Sequence, residues 1–104
     1  MPKTVRCFIR EPGKSWHSEI IEDRLEVWQK LVGGYIETIT LRDNLVLIVN
    51  EEGVLQQLEP NCYIGGHWLR GTVIAVGTAG EEFADVPVAT AGQLRMLIAR
   101  INWG

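Results

Sequence analysis

Cys62 and His67 are the one thiol and imidazole close enough in sequence to suggest a nucleophile and its base, since a thiol attacks only when a neighbour takes its proton. That spacing stands without a catalytic signature around it. Cys7, Cys62, His17 and His67 carry zinc-type donors, yet none falls at the separation of about two to four residues that zinc sites use. Glu51, Glu52 and Glu59 in one turn-rich segment, with Glu81, Glu82 and Asp85 in another, supply carboxylates that could converge on Mg²⁺ or Ca²⁺. Neither segment has the spacing of a calcium loop. Gly77-Thr78-Ala79-Gly80 follows a strand as phosphate loops do, but it lacks the Lys-Ser/Thr pair and runs into Glu81-Glu82, which repel phosphate, so it reads as a plain turn.

Gly65-Gly66-His67-Trp68-Leu69-Arg70 is the best candidate for contact with a ligand. A flexible backbone, an aromatic platform and a guanidinium together suit a planar anionic group. Tyr35, just beyond the paired glycines Gly33-Gly34, adds a ring for the sheet and a hydroxyl at the surface. Ligand binding is therefore expected at Tyr35, Gly65, Gly66, His67, Trp68 and Arg70. No catalytic residue, metal ligand or cofactor is assigned.

These residues must be positioned by the elements around them. Thr4 to Arg10 alternates Val5, Cys7 and Ile9 against Arg6, Phe8 and Arg10, the period of a half-buried strand, so Cys7 reads as a core thiol. Glu11-Pro12-Gly13-Lys14 meets the requirements of a type II turn, and Trp16 to Ile20 is a short strand or an extended run. Asp23 and Glu26 form a capping-box pattern, Glu26 and Lys30 can pair outside the helix, and Gly33 ends it. Ile21, Leu25, Trp28 and Val32 make the apolar stripe, with Leu25 and Trp28 each expected to contribute roughly 2 to 3 kcal/mol on burial.

Tyr35 to Leu41 alternates, Arg42-Asp43-Asn44 turns, and Leu45 to Val49 is apolar on both faces, as a central strand covered on each side must be. Asn50-Glu51-Glu52-Gly53 suits a type I turn, Val54 to Leu58 begins a further strand, and Cys62 to Gly71 is irregular. Thr72 to Val76 is another buried strand. Thr90 and Gln93 cap a last helix whose stripe is Leu94, Leu97, Ile98 and Ile101. The expected fold is α+β: a single domain over residues 1–104 with a twisted, mainly antiparallel sheet of four to six strands and two helices packed on it.

The 104 residues are 46% hydrophobic and 22% charged, which places the chain with globular proteins rather than disordered ones. Six Lys/Arg stand against five Asp/Glu before Tyr35 and four against eight from Tyr35 onward, for a net charge of -3. That balance disfavours nucleic acid as a partner, because such binding draws on cations that neutralise phosphates. The longest aliphatic run, Leu45 to Val49, is far too short to span a bilayer, and no signal-peptide segment opens the chain, so a cytoplasmic location without membrane association is expected. Two cysteines are too few for a disulfide scaffold.

Val32-Gly33-Gly34-Tyr35-Ile36-Glu37, Asn50-Glu51-Glu52-Gly53, Pro60-Asn61, Gly71-Thr72, Val76-Gly77 and Glu82-Phe83 together resemble the family catalogued as domain of unknown function 3846. The similarity runs from about Val5 to about Phe83, with the helix-Gly-Gly-Tyr-strand block its most specific part. Members are small proteins of bacteriophages, plasmids and gut bacteria, so the resemblance implies an accessory role in a mobile element and transfers no active site. Relatives often carry basic or polar residues after the Pro-Asn pair, whereas here Cys62-Tyr63-Ile64 follows. The expected function is non-enzymatic, stoichiometric binding of a host protein or a small, nucleotide-derived ligand, plausibly as counter-defence, with Arg42 or Arg95 assisting the Gly65 to Arg70 loop. The alternatives are a metal-assisted hydrolase using the turn carboxylates and a nucleic-acid-binding regulator using Arg6, Arg10 and Lys14. A homo-oligomer through Trp16 or Trp103 is also plausible.

Overall fold

The computed structural model describes residues 3–64 and 66–87, together with Gly92 and Leu94. Its strands are β1 (Thr4–Arg10), β2 (His17–Glu22), β3 (Ile36–Arg42), β4 (Leu45–Asn50), β5 (Pro60–Ile64), β6 (His67–Arg70), β7 (Val73–Ala79) and β8 (Glu82–Ala84), with helix α1 (Leu25–Val32) between β2 and β3. Six strands form one antiparallel sheet in the order β2-β1-β7-β4-β3, with β8 joined to β7, and β5 and β6 make a separate hairpin. The domain is mostly β. Among the described residues it holds one helix rather than two. Of the expected C-terminal helix only Gly92 and Leu94 are described, both helical, and the rest lies outside the described residues.

Alternation in β1 works as the pattern requires. Val5, Cys7 and Ile9 are buried on one face, and Lys14 N–H donates to the Glu11 carbonyl at 3.0 Å across a turn in which Gly13 has φ 77°. Helix α1 ends where expected: Gly33 adopts φ 81° and its N–H donates to the Gln29 carbonyl. Its start differs from expectation. The N-cap residue is Arg24, with no side-chain cap, because Asp23 Oδ1 instead accepts from Trp28 Nε1 at 3.0 Å and Glu26 pairs with Arg24 rather than Lys30. Burying the Trp28 indole demands a partner for its N–H, and Asp23 is the acceptor within reach. Leu25, the first residue of the helix, is 56% exposed, so Trp28 and Val32 with half-buried Leu31 form the actual stripe.

Strand β4 is buried along its whole length, as the apolar run from Leu45 to Val49 predicts. Val46 and Ile48 join Val5, Cys7, Ile9, Ile74 and Val76 beneath α1, where Phe83 meets Trp28 edge to face at 5.6 Å. Leu45, Leu47 and Val49 face the other way, packing with Val73, Ala75, Val86, Leu94 and the hairpin residues Cys62 and Leu69. The sheet is thus a layer between a helix and a hairpin.

Three loop assignments are corrected. Residues 51–57 form successive turns rather than a strand at Val54 to Leu58, since Val54 and Leu55 are solvent-exposed and the Leu58 N–H donates back to the Gly53 carbonyl at 3.0 Å. The segment read as irregular between Cys62 and Gly71 is the β5–β6 hairpin. Gly77-Thr78-Ala79 continues β7, and the turn falls at Gly80-Glu81, where Ala79 pairs with Glu82. After β8 the chain wedges beside β1: Arg6 N–H donates to Asp85 Oδ1 and Val86 N–H donates to the Arg6 carbonyl, both at 2.8 Å.

Candidate functional site

The β5–β6 hairpin is held to the sheet by a buried polar latch. Arg10 is only 7% exposed, and its Nη1 donates to the Asn61 carbonyl at 2.8 Å and to Asn61 Oδ1 at 2.6 Å. Asn61 Nδ2 donates in return to the carbonyls of Arg10 and Gly71, each at 2.8 Å. Every side-chain polar atom of Asn61 is thereby engaged, which makes its burial tolerable. Cys62 and Leu69 pair across the hairpin and face the core, whereas Tyr63 and Trp68 pair on the outside and stack edge to face at 5.5 Å.

Between this hairpin and the β3–β4 pair lies a cleft of about 640 Å³. Ile39, Leu41, Val49, Ile64 and Leu69 supply its apolar lining, and Glu37, Thr40, Asn50, Glu51, His67 and Arg70 its polar groups, with Gly53, Val54 and Trp68 completing the wall. Gly53 lets β6 approach the turn closely: a Cβ there would sit 3.2 Å from Arg70 Cβ. Arg70 Nη1 donates to the Leu58 carbonyl at 3.1 Å, which fixes the side chain, and the remaining guanidinium donors make no further hydrogen bond among the described residues. Asn50 is committed to structure, donating through Nδ2 to the Val32 carbonyl and Gln56 Oε1 and accepting from Glu52 N–H.

Of the residues expected from sequence, His67, Trp68 and Arg70 line the cleft, and Gly66 stands at the hairpin tip with φ 87°. Gly65 lies outside the described residues. Tyr35 is exposed, immediately precedes β3 and does not line the cleft. Arg42 ends β3 without lining the cleft, and Arg95 and Trp103 lie outside the described residues. Trp16 is half-buried and packs on the hairpin-side core. Glu37, Val54 and the β3 apolar residues were missed by sequence reasoning, and Glu51 was singled out only as a metal carboxylate. For the β3 residues the only signal was the alternation of that strand, which shows two faces without showing what stands opposite either.

The chemistry of the remaining candidates is quieter. Burial pushes the Cys62 thiol up to about 11 against a partial opposing pull from Arg10, and burial with Glu19 nearby pushes Cys7 up to about 12. Both thiols stay protonated at neutral pH and are poor nucleophiles. Cys62 faces inward opposite Leu69 while His67 pairs with Ile64, so the hairpin does not assemble them into a dyad. Among the described residues no three His, Cys, Asp or Glu side chains gather as a metal site, and Asp85 is occupied by Arg6 N–H. Of the three cations named on the N-terminal hairpin, Arg10 is withdrawn into the latch, Lys14 pairs with Glu11 at 3.0 Å, and Arg6 is exposed.

The family described as domain of unknown function (DUF3846) matches residues 5–99. The chain belongs to that family. The match extends past Phe83, where the resemblance in sequence motifs ends, into the segment that contributes Leu94 to the core. No curated protein and no solved structure matches the chain. In this DUF3846 member the Gly33-Gly34-Tyr35 block is the C-cap of α1 and the approach to β3, and Pro60-Asn61 carries the latch. Both motifs are therefore explained by the fold. Among the described residues no helix is long and apolar enough to cross a membrane.

Proposed function

We propose that the protein acts by stoichiometric binding, holding in its cleft a nucleoside-like ligand with at most one anionic group. The observation that carries this reading is that Trp68 and Arg70 border one cleft whose other charged groups are Glu37 and Glu51. A heterocycle stacks on the Trp68 ring against the aliphatic lining, and Arg70 receives a carboxylate or single phosphate. Glu37 and Glu51 accept from ribose hydroxyls or amino groups and repel a polyphosphate. The cleft falls within the size range of about 300 to 1,000 Å³ typical of small-molecule sites. Buried, protonated thiols disfavour turnover by a cysteine nucleophile. An accessory role in the cytoplasm, opposing a host process on behalf of a phage or other mobile element, follows from the setting in which family members occur.

Thermal shift and Trp fluorescence against nucleosides, nucleoside monophosphates, cyclic nucleotides and triphosphates test it. Monophosphates or cyclic forms are expected to raise Tm at millimolar concentration, with Trp68→Ala and Arg70→Ala abolishing the shift. No stabilisation by any member of the panel counts against the reading. A host protein as the occupant is the second reading. It draws on Val54, Leu55, Tyr63 and Trp68, four exposed large apolar side chains in or beside the cleft rim, a composition typical of partner surfaces.

A further inference from the structure

Strand β3 is one margin of the main sheet, and among the described residues it pairs with β4 alone. Glu51 N–H donates to the Tyr35 carbonyl at 2.8 Å, which sets the phase of the ladder. By the alternation of antiparallel pairs, Glu37 and Ile39 turn their main-chain groups toward β4, while Ile36, Thr38 and Thr40 turn theirs outward. The register shift between Thr40 and Arg42 makes Leu41 the extra residue of a bulge and sets Arg42 opposite Leu45. Leu45, Leu47 and Val49 belong to the hairpin-side core, so their partners Arg42, Ile39 and Glu37 share that face, and Thr38 and Thr40 share the helix-side face. Glu37 and Arg42 are both exposed, and neither enters an ion pair among the described residues.

We propose that a second copy of this chain pairs with β3 edge to edge, antiparallel, about a two-fold axis at Ile39. In that register Ile39 meets its own mate as a non-hydrogen-bonded pair, and Thr38 meets Thr40 as a hydrogen-bonded pair on either side. The outward groups of both threonines are thereby satisfied. Because both strands carry the same bulge, the extra Leu41 is skipped on each, and Glu37 of one copy meets Arg42 of the other, twice per dimer. Without the bulge Glu37 would face Leu41 and the charges would be unmatched. Charges on an edge strand ordinarily discourage pairing, but two charges of opposite sign at positions exchanged by the two-fold select this partner and this register.

The pairing also alters the cleft, because Glu37 lines it. Arg42 of the second copy sets a cation beside that carboxylate. This consequence rests on the ligand reading of the cleft; the pairing itself does not.

Sedimentation equilibrium or light scattering of the full chain over a concentration series tests the proposal, with far-UV circular dichroism confirming that each variant keeps the fold. A species of twice 11.7 kDa is expected. Glu37→Arg or Arg42→Glu alone places like charges opposite one another twice and weakens dimerisation by about tenfold or more. The double reversal restores it. A wild-type monomer at the highest concentration overturns the proposal, as does a dimer indifferent to the single reversals or one that the double reversal fails to rescue. A charge-dependent dimer that binds no nucleotide supports the pairing and removes the ligand reading alone.

Discussion

Cys7 and Cys62 show how little a residue type says until its surroundings are known. In sequence they were candidates for zinc, for nucleophilic attack or for packing, and burial decides for packing by disfavouring the thiolate. The sign of the linkage follows. Each folded-state pKa lies above the ordinary 9.0, so the neutral thiol is favoured in the native state, and the stabilisation is complete below about pH 9. It is lost as pH rises through 11 and 12, because the unfolded chain ionises first. Urea midpoints measured from pH 8 upward should fall along this limb, and the double variant Cys7→Ala/Cys62→Ala, though less stable overall, should show a flatter one. Equal slopes in the two proteins would mean that the thiols do not drive the alkaline loss. Arg10 makes a related point. Its sequence position suggested a solvated cation on a strand, yet Asn61 draws it inside.

At the scale of elements, turns with local conformational demands were legible, whereas elements set by their packing partners were not. Gly13 and Gly33 occupy the positive φ that their turn and helix terminus require, so both were readable from composition. Strand β8 was not, because it depends on its ladder with β7 and on the wedge that Asp85 and Val86 form beside β1. Gly77 carries that wedge: a Cβ there would lie 2.2 Å from the Asp85 carbonyl oxygen and 3.1 Å from that of Ala84. Gly77→Ala should therefore cost about 3 kcal/mol or more, since backbone rather than a flexible side chain would have to move. Urea unfolding measures the cost, and a loss under about 1 kcal/mol, the ordinary scale of a mutation, would show that β8 docks less closely. The β5–β6 hairpin escaped notice for a different reason. It exposes Tyr63 and Trp68 and buries Asn61, inverting the pattern from which a half-buried strand is read.

For the molecule as a whole, one sheet serves two cores that are closed by unlike lids. Trp28 and Val32 of α1 close the first, over Cys7, while the small hairpin, through Cys62 and Leu69, and Leu94 close the second, over Leu47. The hairpin shares no ladder with the main sheet, so it is held chiefly by the latch and by Cys62, Ile64 and Leu69. Opening of that lid should precede global unfolding. Thiol labelling followed by mass spectrometry is expected to modify Cys62 sooner than Cys7 under native conditions, and Asn61→Ala should widen the gap. Simultaneous labelling at the global unfolding rate would show a single cooperative unit.

Periodicity by itself determined that β1 buries Val5, Cys7 and Ile9, that β4 lies between two layers, and that a helix ending at Gly33 precedes a strand. These are local consequences of side-chain spacing and backbone sterics, so neighbours in sequence suffice to specify them. Only the tertiary structure decided that Glu37, Glu51, Trp68 and Arg70 share one cleft and that Asn61 holds the hairpin over it. Those residues are brought together by burial of Cys62 and Leu69 against Leu45, Leu47 and Val49, a long-range free-energy gain that leaves no periodic trace along the chain.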